Sequence, residues 1–422
     1  MFRSTMTAMS LALLIPAMAP AAYAATPDEV VANYADIAEA AYGDSLSTAR
    51  ALREKVAALV ADPSEETLNA ARAAWTAARV PYQQTEAFRF GNPIVDDWEG
   101  RVNAWPLDEG LIDYVAEDTP SAEDNEMAQL NVIANPSLDL SGTTLDANVI
   151  TPELISGQLH EAGGIEANVA SGYHAIEFLL WGQDLNGTGP GAGARPYTDY
   201  ATGEDCTGGN CDRRAQYLTA ATDLLIADLE EMLANWQAGG AARQAVTEDP
   251  QAGLNAMLTG MGSLSYGEQA GERMKLGLML NDPEEEHDCF SDQTHYSHYY
   301  DGLGIQNVYL GRYVKVDGSE LTGPSLSELV SEKDAALDTQ LKSDLDASLA
   351  ALGTLRDKAE AGMSYDQMLA PGNAEGEALI MAGVDALVKQ TREIERAVGV
   401  LGLNDIAFEG SDSLDNPNAV FQ

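Results

Sequence analysis

Apolar positions recur at helical spacing along most of the chain. Behind Thr26-Pro27-Asp28-Glu29, apolar or small residues fall at Val30, Tyr34, Ile37, Ala41, Leu46, Ala49, Leu52, Val56 and Leu59. That stripe predicts one long amphipathic helix, with Thr26 as its cap and Pro27 at its first position. Asp62-Pro63-Ser64-Glu65 repeats the start signal, and Leu68, Ala71, Trp75, Ala78 and Tyr82 follow it. Pro81 is expected to kink or end that helix, because it removes a backbone donor and crowds the preceding turn. Thr151-Pro152-Glu153 and Ser325-Leu326-Ser327-Glu328 mark two further starts. The last helix is the clearest, with Ile380, Val384, Leu387, Thr391, Ile394, Val398 and Leu401 alternating spacings of four and three. Further helical segments are expected near 165–181, 213–237, 252–280 and 326–359.

Strand-like alternation is scarce, so the pattern predicts an all-α protein built from helical bundles. Polar or glycine-rich connections interrupt it at roughly 90–150, 183–212 and 281–323. Connections of that length in a bundle tend to carry function. The second one divides the chain into an N-terminal bundle over 25–195 and a C-terminal bundle over 196–422. Their similar size and hairpin content hint at duplication without a legible repeat.

The first 24 residues change the picture of location. Arg3, an apolar run from Met9 to Met18 and Ala22-Tyr23-Ala24 read as a signal peptide, which predicts a periplasmic or extracellular protein. No later run is long and apolar enough for a transmembrane helix. Charge narrows the partners: 23 Lys+Arg against 67 Asp+Glu give a formal net charge of −44. Nucleic acid and anionic membranes require a basic patch, so neither is an expected partner. In an oxidising compartment Cys206 and Cys211 are expected to pair, leaving Cys289 free.

Candidate chemistry gathers in the middle third, which holds all five histidines: 160, 174, 287, 295 and 298. In Gly172-Tyr173-His174-Ala175-Ile176-Glu177, a histidine and a glutamate three apart share a helix face. They can present a nitrogen and a carboxylate to one point. The same spacing also suits an ion pair or a hydrogen-bonded core histidine. Gly172 permits close approach to that face. Neither zinc-protease motif is complete: His160-Glu161 meets Gly164 where a second histidine belongs, and His174-x-x-Glu177 is followed by Phe178. Asp184, Asn186 and Thr188 imitate the start of a calcium loop, but position twelve is Arg195, so that loop does not read as a calcium site.

Several segments resemble the imelysin family of bacterial periplasmic or surface proteins. They are Gly172-x-His174-x-x-Glu177 with Phe178-Leu-Leu-Trp-Gly-Gln-Asp184, Thr85-Glu86-Ala-Phe-Arg89, Trp105-Pro106-Leu-Asp108 and Asn307-Val-Tyr-Leu-Gly311. The likeness runs from about Trp75 to Tyr313. It implies paired helical bundles with a site near their junction, lined by the helix of His174. It also implies a role in metal binding or iron acquisition, although the founding member was described as a metallopeptidase.

With that resemblance, His174 and Glu177 are read as metal ligands and Glu86 as the third. Arg89, Asp108, Asp292 and His295 are additional ligands or supporting groups, with Arg89 confined to orienting a carboxylate. The expected ion is iron or another divalent metal such as zinc. The expected role is iron uptake alongside envelope iron-transport components, with no turnover required. The alternatives are a metallopeptidase and a metal-free envelope interaction protein.

Overall fold

A computed structural model of the chain describes residues 25–117, 119, 125–140, 142–403 and 406–421. The leader expected at residues 1–24 lies outside them. Helix α1 (Pro27–Ala61) buries the predicted stripe from Val30 to Leu59. Its start is a reciprocal cap: the Glu29 amide donates to Thr26 Oγ1 at 3.4 Å, and the Thr26 amide donates to the Glu29 carboxylate at 3.0 Å. Helix α2 (Glu65–Gln83) begins at a Ser64 cap, passes through Pro81 and ends two residues later. After α3 (Pro93–Asn103) and the small hairpin of β1 (Ser137–Leu140) and β2 (Thr143–Asp146), the chain enters α4 (Gly172–Trp181).

The remaining long helices are α5 (Cys211–Trp236), α6 (Pro250–Ser263), α7 (Thr294–Leu310), α8 (Ala335–Glu360) and α9 (Ala374–Val400). A second hairpin, β3 (Arg312–Val314) with β4 (Glu320–Thr322), follows α7. The fold is all-α, as the pattern predicts. Helix α6 continues into a π-helical stretch over Leu264–Leu276, whose wider turn carries Glu268 and Arg273 inward. Cys206 and Cys211 form a disulfide, and Cys289 is free. Among the described residues no helix is long and apolar enough to cross a membrane.

One large core takes residues from both sides of position 195, including Leu59 of α1, Ile176 of α4, Leu225 of α5 and Ile394 of α9. Tyr34 of α1 meets Trp236 of α5 edge-on at 5.9 Å, joining the first helix to a segment beyond that position. A smaller core gathers Met274, Leu352, Leu355, Met368, Ile380 and Leu387. Burial of each such leucine stabilises the fold by roughly 1.5–3 kcal/mol relative to exposure.

Three expectations are corrected, the first being that residues 90–150 form one long connection, whereas α3 occupies Pro93–Asn103. Residues 281–323 are not one long connection, because α7 occupies Thr294–Leu310. Its histidines, Ser297, Asp301, Gln306 and Asn307 are buried along with Ile305 and Val308, so no apolar stripe marks the helix in the sequence. The segment near 165–181 is helical only from Gly172, since residues 165–171 form turns and extended chain.

Candidate metal centre

All ten residues of α4 are buried, so the three-residue spacing of His174 and Glu177 aims both side chains into the protein interior. Gly172 begins the helix at φ +81°, and a Cβ there would lie 2.3 Å from the Val102 carbonyl oxygen. Only glycine combines that backbone conformation with that contact to α3. His174 Nδ1 stands 3.1 Å from Glu177 Oε2. The other carboxylate oxygen, Oε1, accepts hydrogen bonds from the Ser291 amide at 3.0 Å and the Ser291 hydroxyl at 2.6 Å.

The opposite wall is the short segment preceding α7. His287 packs its ring on that of His174 at 4.8 Å between centroids, and Trp105 meets His287 edge-on at 5.8 Å. Gln83, the last residue of α2, lies 3.3 Å from His287 Nδ1. Asp288 Oδ1 lies 3.8 Å from His174 Nδ1 and 2.9 Å from the Arg79 guanidinium. The Ser297 hydroxyl donates to the other Asp288 oxygen. One donor atom from each of His174, His287 and Asp288 falls within a mutual 4.8 Å, and all three residues are buried.

Burial sets the charge states. It pushes the Glu177 carboxyl well up, and neighbouring Asp288 adds to the shift beyond what Ser291 and Arg79 recover. It drives the His174 imidazole well down, aided by the charges of Arg79 and Arg273, and does the same to His287. Burial thus favours the uncharged form of both His174 and Glu177. His174 Nε2 has no hydrogen-bond partner, although the side chain is only 1% exposed. Two imidazoles and an aspartate whose donor atoms lie this close form a set able to hold a borderline divalent ion.

The other expected residues are placed around this centre. Glu86 accepts from Arg273 at 2.7 Å, in a network where Arg273 also pairs with Asp301 at 3.1 Å and Glu268 at 2.7 Å. Arg89 pairs with Asp96 at 2.8 Å and Glu268 at 3.4 Å. His295 packs against Tyr296, and burial pushes its imidazole down to about 4. Asp108 accepts from Asn125 at 2.7 Å and lines a cleft of ≈ 550 Å³ together with Trp105, Glu109, Asp184 and Glu284. That cleft reaches Trp105, the residue packed against His287. Asp292 joins Asp184 and Asp366. His287 and Asp288 carry no linear motif, and clustering of the histidines is their only signal in the sequence.

Comparison with known proteins agrees with this architecture. The imelysin family model matches residues 38–394. A 64-residue stretch is 38% identical to iron-regulated protein A of Synechococcus elongatus, covering 15% of this chain and 18% of that protein. A crystal structure from Parabacteroides distasonis, described as an iron-regulated protein A precursor, superposes with a TM-score of 0.63 at 18% identity. That match covers 90% of this chain and 97% of the other. An imelysin-like protein from Psychrobacter arcticum gives a TM-score of 0.57 at 16% identity, over 91% and 99%. At these identities the two structures speak to the fold alone.

Proposed function

The chain belongs to the imelysin family, and on that premise we propose that it is an exported iron-binding protein serving iron uptake. The carrying observation is the buried convergence of His174, His287 and Asp288, with His174 Nε2 left without a hydrogen-bond partner. These residues would hold the ion. Glu177 would orient His174 through Nδ1 and supply a balancing charge once the cation displaces its proton. Two imidazoles and a carboxylate suit ferrous iron, with zinc as the nearest competitor. The acidic cleft beside Trp105 would concentrate cations at the approach. The matched Synechococcus protein is named for iron regulation, which favours iron over zinc. The leader-like residues 1–24 support export, and envelope iron-transport components are the partners this role requires.

The metallopeptidase reading fits less well. His174, Glu177 and Asp288 are 1%, 0% and 1% exposed, which leaves a polypeptide no route to them in this conformation. Anaerobic titration of the chelator-treated protein with ferrous iron tests the proposal. One site per chain is expected, lost in His174→Ala and weakened in Asp288→Asn. Equal affinity in wild type and His174→Ala sinks it. Metal-dependent hydrolysis of denatured casein that vanishes in the His174→Ala, Glu177→Ala double variant would make the peptidase reading the better one.

A further inference from the structure

Away from His174, three carboxylates separated widely in sequence meet at one point. Asp184 follows α4, Asp292 precedes α7 and Asp366 lies on the short helix Tyr365–Leu369. One oxygen from each falls within a mutual 4.8 Å. Ligand oxygens about 2.4 Å from a central ion are at most about 4.8 Å apart, so the trio has the span of a calcium coordination shell.

An acidic cluster alone is ordinary. The independent observation here is Glu286, which is 1% exposed and receives no hydrogen bond at either carboxylate oxygen. It lines the same small void as Asp184 and Asp366. The Thr294 hydroxyl stands near the Glu286 carboxylate without a hydrogen bond of good geometry. Asp366 is 2% exposed, and the neighbouring Ser364 and Gln367 donors reach its carboxylate without hydrogen bonds of good geometry. The void has a free volume of ≈ 10 Å³, room for about one water-sized occupant.

Among the described residues, none of the four acids forms an ion pair with lysine or arginine, in contrast to Glu86, Asp113 and Asp288 elsewhere in the interior. Buried like charges without a counter-ion must be protonated or share a cation. Burial together with Asp366 pushes Asp292 up to about 7. We propose that Asp184, Asp292, Asp366 and Glu286 form a second cation site, distinct from the His174 centre, for a hard divalent ion of the calcium class. Carboxylate oxygens alone select against soft metals, and donors contributed by four separate points of the chain suit calcium's flexible shell better than magnesium's rigid octahedron. The linear loop at Asp184 remains unsuited to calcium, since Arg195 at its twelfth position is paired with Asp113 and Asp199. Of that loop the site uses only Asp184.

The test is calorimetric titration of calcium chloride into the chelator-treated protein at mildly alkaline pH, in salt high enough to screen the diffuse acidic surface. One calcium per chain is expected. Affinity should fall at least about tenfold in Asp366→Asn and in Glu286→Gln, with circular dichroism confirming that each variant folds. His174→Ala, which should lose iron, should keep calcium affinity unchanged, so the two sites stand or fall separately. Absence of one-site binding, or unchanged affinity in both carboxamide variants, overturns the proposal. Tighter binding of magnesium than of calcium overturns the assignment of the ion.

Discussion

Glu286 and Asp288 stand two residues apart and are both 1% exposed, yet their electrostatic surroundings are opposite. Asp288 meets the Arg79 guanidinium at 2.9 Å and accepts from Ser297. Glu286 forms no ion pair with lysine or arginine among the described residues, and burial with Asp366 and Asp292 pushes its carboxyl well up. The first centre carries its counter-charge within the fold, so it is built whether or not a metal arrives. The second has no positive charge of its own and must be completed by protons or by a cation. A buried carboxylate is therefore informative chiefly through what neutralises it.

Removing the built-in counter-charge should have the largest effect. Arg79→Met leaves Asp288 buried without its partner and should destabilise the protein by about 3–5 kcal/mol in urea unfolding. A loss below about 1 kcal/mol would mean that Arg79 does not neutralise that centre. Next comes the metal itself. His174→Ala should weaken ferrous iron binding by about 100-fold or more, read by anaerobic titration. Ser291→Ala removes the hydroxyl that donates to Glu177 Oε1 while keeping the backbone donor. Iron affinity should then fall by about tenfold, because the Glu177 carboxylate loses one of the bonds fixing its orientation. An unchanged value would remove Glu177 from the support of His174.

The smallest effect has the opposite sign and sharpens the comparison most. In chelator, Asp366→Asn removes one of several uncompensated acids and should stabilise the metal-free protein by about 1 kcal/mol. The corresponding change at the other centre, Asp288→Asn, strands Arg79 and should destabilise it. If both variants shift urea unfolding in the same direction, the two clusters are neutralised alike and the contrast fails.

Much of the scaffold is local and could be read directly from the chain. The Thr26, Ser64 and Ser325 caps act over three residues, and the apolar stripes of α1, α2 and α9 act over single turns. The pairing of His174 with Glu177 was legible for the same reason, since helix geometry alone brings residues three apart together. The close approach at Gly172 was anticipated too, although its partner, the Val102 carbonyl, was not.

What lay beyond reach was set by packing between distant segments. Nothing in the sequence signals that Glu86, expected as a ligand with His174, accepts from Arg273, 187 residues further on. Helix α7 left no stripe, because polar groups that usually face water are buried along with its apolar ones. His287 and Asp288 reach His174 only because the segment before α7 folds across α4, with Ser291 bonded to Glu177 over 114 residues. Asp184, Asp292 and Asp366 meet for a similar reason. Spacing along a helix determines which side chains share a face, and the sequence carries that spacing. Which remote segment comes to oppose that face depends on the cooperative burial of the whole core, and only the tertiary structure decides it.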